Sequence, residues 1–393
     1  MLTAVALIAL CAIVGLAFDM GYLFDDKRRA QTAADAAALA GAREWKKAGN
    51  AGVVAAANAA AATNGFTNGQ NGTDVVVNIP PTSGYYADNS SFLETIVSRN
   101  RPTLFLGIIN FQSGTVRARA VAGLKNSPNC IYALDPRAKV GLNVSGGSVL
   151  NAQCGIVVDS NSKTALNGNG TGSSVTGTAI TVTGKYTGCC FTPNPRTDIP
   201  PEPDPLADRA APTFSGCNYT DTKVNGAVTT LGPGVYCGGI SISNAANCTL
   251  LPGTYVMDGG GFSVSGGSTI NGAGVTIYNT ATKAKDYDSV TIAGDTVGTL
   301  SAPTSGSMEG MLFFQDRTIT SKKTNSISGG ADLKLEGALY FPTTDLNFSG
   351  HTGIDSYTIL VAATINITGG STIEDNYGDL ADGNPLKTIA LGE

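Results

Sequence analysis

The apolar positions of this chain change their period twice. Residues 2–18, LTAVALIALCAIVGLAF, are apolar or small without a charge. From there to residue 47, in DMGYLFDDKRRAQTAADAAALAGAREWKK, helix formers dominate, with no proline and no glycine between Gly21 and Gly41. One helix is predicted over residues 2–47, about 70 Å long at 1.5 Å per residue. A second alanine-rich helix is expected over residues 52–62, closed by the turn formers of TNGFTNGQNGT. Beyond it the period shortens. TDVVVNIPP (73–81) and FLETIVSR (92–99) read as strands, and GTVRARAVAGL (114–124) as a strand with one wet face. TLFLGIINF (103–111) is apolar throughout and reads as a short helix or a buried strand.

From residue 130 onward a phrase repeats. VSGGSVLNAQCGIVV begins at Val144, VSGGSTINGAGVTIY at Val264, ISGGADLKLEGALYF at Ile327 and ITGGSTI at Ile367. A second phrase, PGVYCGGISI from Pro233, returns as PGTYVMDGGGFSV from Pro252. Short aliphatic strands between glycine turns, recurring at roughly twenty residues, are the signature of a solenoid. A parallel β-helix is expected, with inward Val, Ile and Leu stacked in ladders and Ser, Thr and Asn facing water. A β-sandwich or jelly roll also uses short strands, but needs no glycines at fixed offsets. FTPNPRTDIPPEPDPLADRAAPTF (191–214) holds too many prolines for a coil and is expected to run over the surface. The expected fold is therefore α+β and multi-domain. N-terminal helices occupy 1–64, a small α+β connecting module 65–126, and a C-terminal parallel β-helix head 127–393.

Composition narrows the function classes. A net charge of −5 with 14% charged residues leaves no electrostatic footprint for nucleic acid. With 50 glycines and 42% apolar residues, the chain reads as folded and turn-rich. Of 8 cysteines, Cys11 lies in the apolar run, and the others lack zinc-site spacing. Disulfides formed outside the cytoplasm are the expected use. Cys130 and Cys154 head similar strands one coil apart, where stacking brings Cα atoms into disulfide range; Cys217 and Cys237 are spaced alike. Cys189, Cys190 and Cys248 then share one further bridge, with the choice between the adjacent thiols open. No cofactor and no metal are expected.

Residues 2–18 sit at the short end of the roughly 17–25 residues that cross a bilayer, and a cleaved signal peptide fits poorly because no basic region precedes them. Lys27, Arg28 and Arg29 follow the run, which by the positive-inside rule places the rest of the chain in the cytoplasm. The cysteines point outward. The two agree if Met1 is not the translational start and a basic leader precedes it.

GLAFDMGYLFDDKRRAQTAADAAALAGA, with Asp19 before a short aromatic stretch, the basic cluster, and QTAADAAALAGA (31–42), resembles the N-terminal segment of TadG-like proteins of the tight-adherence (Tad, or Flp) pilus-assembly systems. The likeness covers about the first fifth of the chain. It implies export, a membrane stage and a part in surface filaments. Type IV-type pilins keep a glutamate near position five, where this chain has Val5. The region from CIYALDP to LYFP also resembles the C-terminal part of some TadG-like proteins.

Parallel β-helices also host polysaccharide lyases and hydrolases, which need paired carboxylates or a calcium–carboxylate cluster with a base. Asp286 and Asp288 flank Tyr287 in a lysine-bearing loop, Asp316 precedes Arg317, and the sole histidine, His351, lies in a turn. A solvated turn explains Asp286 and Asp288 better than a site, a coil-end ion pair explains Asp316 and Arg317 better, and His351 has no carboxylate immediately beside it, so no enzyme is expected. The expected function is a pilin-like structural protein of a bacterial surface filament, or an inner-membrane-anchored component with an exported head. The alternative is an adhesin that stacks glycans on Tyr85, Tyr86, Tyr255, Tyr278, Tyr287 and Tyr340. The small residues Ala30, Ala33, Ala34, Ala37, Ala40 and Gly41 are expected to pack against helices of other copies or of pilin-like subunits.

Overall fold

The computed structural model describes residues 2–328, 332–349 and 357–392, with residues 2–12, 48, 108, 109 and 284 described by backbone alone. The chain divides into two compact units, Met1–Asn126 with Lys387–Glu393, and Ser127–Leu386. The sequence reading placed boundaries at 64/65 and 126/127 and gave everything after 126 to the head. The structure instead joins the helices and the connecting module in one unit and returns the last strand to it.

In the first unit, α1 (Leu2–Ala48) is followed by α2 (Val53–Thr63), β1 (Thr73–Asn78), β2 (Phe92–Pro102) and β3 (Ser113–Asn126). Gly52, at φ 85, takes the left-handed turn that starts α2. Residues 103–111 hold a 3-10 turn, Leu106–Ile109. The sheet runs β1-β2-β3 and then Lys387–Leu391, antiparallel throughout. On one face Val75, Leu93, Val97, Ala118, Ala120 and Ala122 form a core with Ala30, Ala33, Ala34 and Ala37 of α1 and Val53, Ala57 and Ala61 of α2. Alanine meets alanine there, so helix and sheet backbones come close. Gly41 shows how close: a Cβ on it would lie 3.2 Å from the Leu93 side chain of β2.

In the second unit the strands stack in parallel. The main ladder runs Ile180–Val182, Gly155–Val158, Asn129–Ala133, Thr358–Ala362, Leu333–Phe341, Met311–Gln315, Val275–Thr280, Gly253–Asp258, Gly234–Ser243 and Tyr219–Asn225. A parallel β-solenoid fits that ladder. Its coils are out of chain order. The chain enters in the middle of the stack, builds outward to Thr192, crosses to the far end through residues 193–218, and winds back until Ile365–Ile367 pairs with Leu142–Val144.

The repeated phrase is the corner between two faces of a coil. In VSGGSTINGAGVTIY, strand Phe262–Val264 turns at Gly266 and Gly267, both at positive φ, into Thr269–Gly272. Gly146 and Gly147 do the same after Leu142–Val144. A left-handed pair costs least for glycine, which favours glycine at this offset; Asn244 and Ala245, at φ 59 and 54, take the same pair in the neighbouring coil. The third copy runs through residues 329–331, outside the described ones.

Inward positions such as Val264, Ile292, Ile327 and Ile367 are at most 1% exposed. Outward on the same face, an amide ladder joins neighbouring coils: Asn366 donates to Asn347 at 3.1 Å, Asn143 to Asn366 at 2.7 Å, and Asn167 to Asn143 at 2.7 Å. It runs unbroken across the junction of coils distant in sequence. The proline-rich crossing lies on the coils as expected. Arg209 donates to the Ser307 and Glu309 carbonyls at 3.1 and 3.3 Å, the Tyr340 hydroxyl to Asp204 at 2.5 Å, and Arg317 to the Leu206 carbonyl.

Candidate functional site: the N-terminal helix and its seat

Helix α1 carries two surfaces in sequence. Over residues 13–24 its large apolar side chains face outward: Ile13 is 67% exposed, Phe18 58% and Phe24 64%. The loop 103–111 lies against this stretch and adds exposed Leu104, Phe105 and Phe111. Asp19 latches the two together, accepting from the backbone N–H groups of Leu104, Phe105 and Leu106 at 3.0, 2.8 and 2.6 Å. Burial works to raise its pKa, but those three donors outweigh it and hold the carboxyl below its ordinary value. Gly15 leaves room for the Phe105 side chain, whose Cβ would lie 2.7 Å from a Cβ at that position. Phe18 and Phe105 then meet edge to face at 5.9 Å. A shallow groove of about 370 Å³ borders the patch, where Met20, Leu23 and Phe24 meet Lys27 and Arg117.

Two turns beyond Asp19, buried Asp26 accepts from Arg99 at 3.4 Å and from Arg101 at 3.2 and 3.3 Å. Arg99 lies 3.7 Å over the Phe66 ring and donates to the Thr73 hydroxyl at 2.8 Å. From Ala30 onward the helix turns its small face inward. Ala30, Ala33, Ala34 and Ala37 are 0% exposed, Gly41 is buried and Ala40 half-buried. The face expected to meet helices of other copies is therefore covered by the chain's own α2 and sheet. Small residues permit close approach to any smooth backbone surface, and here β3 supplies it.

The other sequence-predicted residues fall as follows. Cys130–Cys154 and Cys217–Cys237 are disulfides, each with Cα atoms 5.7 Å apart. The third expected bridge does not form with Cys248, which is buried as a free thiol while Cys189 and Cys190 are exposed; burial pushes the Cys248 thiol up to about 11. Asp316 accepts from Thr280 and Thr318, and Arg317 from its side donates to Tyr340 at 2.6 Å, so each is engaged apart from the other. Asp288 pairs with Lys323 at 2.9 Å in a half-exposed position. His351 lies outside the described residues. Tyr255, Tyr278, Tyr287 and Tyr340 are at most 3% exposed, which leaves Tyr85 as the fully exposed ring of the set. Among the described residues no group of three His, Cys, Asp or Glu side chains is placed to hold a metal.

Sequence reasoning missed the buried charges Asp26, Glu94 and Arg99. For Glu94 and Arg99 the signal was a charge inside an alternating stretch, FLETIVSR; Asp26 stands in the charged run FDDKRRA and carries no such mark. Glu94, 0% exposed, accepts from Asn78 and the Thr82 hydroxyl at 2.8 Å each and pairs with Arg119. Burial opposes its ionisation, yet Arg119, Asn78 and Thr82 bring its pKa down to about 2.

Among the described residues no helix is long and apolar enough to cross a membrane. The membrane-spanning expectation for residues 2–18 is therefore unsupported, and the side chains of residues 2–12 lie outside the described ones.

Residues 1–44 match the Tad family, described as Flp pilus-assembly TadE/G-like. That segment is similar to the TadE/G proteins and takes in the outward apolar stretch, Asp19, Asp26 and the inward alanine face. No curated protein and no solved structure matches the chain.

Proposed function

We propose that this chain, whose first 44 residues are TadE/G-like, is a non-enzymatic, pilin-like structural component of a Tad-type pilus system at the cell envelope or surface. In this reading the apolar surface of residues 13–24 and loop 103–111 attaches the chain to the envelope or to other pilus subunits, and the solenoid is displayed outside. The observation that carries it is the coincidence of the family match with that patch. Half of the large apolar side chains exposed on the described protein fall in these two short segments. The two disulfides support export, since such bridges persist in oxidising compartments.

A structural role without catalysis rests on the engagement of two of the candidate acids. Asp316 is held by threonines and Asp288 by a lysine in a solvated turn. The glycan-binding alternative loses the feature that motivated it, because most of the tyrosines it relied on are core residues.

The test is genetic and visual. Cells lacking the chain should assemble few or no Flp-type pili by electron microscopy, and the full chain should restore them. Normal piliation and normal pilus retention in its absence would overturn the reading.

A further inference from the structure

The coil that ends the outward-built stack closes in a tight turn. Tyr186–Gly188 pairs with Leu166–Gly168, and Phe191–Thr192 pairs with Val175 and Thr176. Between them Gly188 stands at φ 101 and Cys190 at φ 70. Gly188 is confined by its neighbour coil, since a Cβ there would lie 2.5 Å from the Gly168 carbonyl. Cys190 has a Cβ and still takes the left-handed region, which is disfavoured for such a residue. Its carbonyl is fixed by the Val175 N–H at 2.9 Å, and the Tyr186 and Phe191 rings meet edge to face at 5.3 Å on either side of the dipeptide.

This turn brings the Cys189 and Cys190 Sγ atoms to 2.7 Å from each other, with both residues exposed. The remaining cysteines of the unit offer neither a partner. Cys130–Cys154 and Cys217–Cys237 are bonded, and Cys248 is 0% exposed inside the solenoid. In a compartment that oxidises the first two pairs, two accessible thiols held this close have one another as the available partner.

We propose that Cys189 and Cys190 are a redox modification site, oxidised to each other as a vicinal disulfide that is the labile bridge of this chain. The oxidant is a disulfide, either of a thiol oxidoreductase or of a small thiol. One cysteine thiolate attacks an oxidant sulfur and expels the other oxidant sulfur as a thiolate. The second cysteine thiolate then attacks the protein-side sulfur of the mixed disulfide and expels the remaining oxidant thiolate. Two electrons and two protons pass to the oxidant, which leaves as a dithiol or two thiols. Adjacent Cα atoms stand about 3.8 Å apart across a trans peptide, short of the roughly 4.4–6.8 Å that an unstrained disulfide spans. The bridge is thus strained as well as exposed, the combination that marks readily reduced disulfides. The two coil-to-coil bridges, with Cα atoms 5.7 Å apart, lie within the favourable span.

Peptide mapping of the native full chain, exported and purified without reductant, tests this. Trypsin cuts after Lys185 and Arg196 and releases YTGCCFTPNPR, which holds both cysteines and no other. The peptide should be two hydrogens lighter than its dithiol form and refuse iodoacetamide until reduced. In a dithiothreitol titration it should open at roughly tenfold less reductant than Cys130–Cys154, a difference of about 30 mV. A Cys190→Ala chain should leave Cys189 alkylatable and both coil bridges intact. Both thiols alkylated before reduction, linkage of this peptide to Cys248 or to a second copy, or opening together with Cys130–Cys154 would each overturn the proposal.

Discussion

The two units solve the same problem with opposite materials. The first buries ion pairs: Asp26 with Arg99 and Arg101, and Glu94 with Arg119, the acids at most 5% exposed by side chain. The described ion pairs of the second unit, Lys185–Asp198 and Lys323–Asp288, have side chains about half exposed or more. Its interior is filled instead by Ile, Leu, Val, Phe and Tyr in stacked ladders. Alanine surfaces are smooth and bury little area per residue, so helix and sheet could slide past one another. Charged latches that work in one alignment only can fix the register, at the cost of desolvation. A solenoid coil needs no such latch, because the coil beneath it templates each strand and each ladder position.

That contrast is most easily broken at Arg99. Arg99→Ala leaves Asp26 buried with one partner and opens the space over Phe66, a loss of about 3–5 kcal/mol for a broken buried pair. Hydrogen exchange read by mass spectrometry should show peptides of α1, α2 and β2 losing protection while peptides of residues 240–300 keep theirs. Equal loss in both units would mean that they do not fold as separate cores.

A smaller effect is expected with acid. The pKa of Glu94 is held at about 2, below its ordinary value of 4.5. Its folded pKa is depressed, so its contribution is fully present above pH 4.5 and is lost as pH falls from there toward about 2. Exchange protection of β2 should decline across that window. In Glu94→Gln the decline should flatten, from a lower starting stability. An unchanged acid profile in the variant would remove Glu94 from the account.

Much of this was legible in the sequence, and the reasons for the rest are physical. Both helices and strands β1, β2 and β3 of the first unit follow from period and propensity, whereas Lys387–Leu391 carried no mark that it would join them. The coil corners follow from glycine, because few other residues accept the left-handed pair at Gly266 and Gly267. The coil order was not legible. Every coil offers a similar parallel edge, so Thr358–Ala362 has no local mark that it will meet Asn129–Ala133 rather than the coil next in sequence. The destination of the alanine face was hidden for a related reason. Small residues state that a close neighbour exists and leave its identity open. The matching signal was present in GTVRARAVAGL, whose Ala118, Ala120 and Ala122 form the other half of the contact.

The smallest expected effect concerns the junction of sequence-distant coils. Asn143→Ala removes one rung of the amide ladder between Asn366 and Asn167, on a half-exposed face where water can replace it. A loss of about 1 kcal/mol is expected, confined in hydrogen exchange to the strands at Leu142–Val144, Ile365–Ile367 and Leu166–Gly168. Spread of the loss to the far end of the stack would mean that the junction controls the whole solenoid.

The central claim is that α1 is divided, with an outward stretch near residues 13–24, proposed to attach the chain, and an inward face near residues 30–42 that is the first unit's own core. The most direct measurement places one charge in each part, Phe18→Glu and Ala34→Glu, and follows exchange protection of β1, β2 and β3 beside recovery in the envelope fraction. Ala34→Glu should abolish protection of that sheet, because it forces a carboxylate into a site that is 0% exposed. Phe18→Glu should keep the sheet protected and lose envelope association several-fold. An Ala34→Glu chain with a fully protected sheet, or a Phe18→Glu chain recovered in the envelope like the parent, would contradict the account.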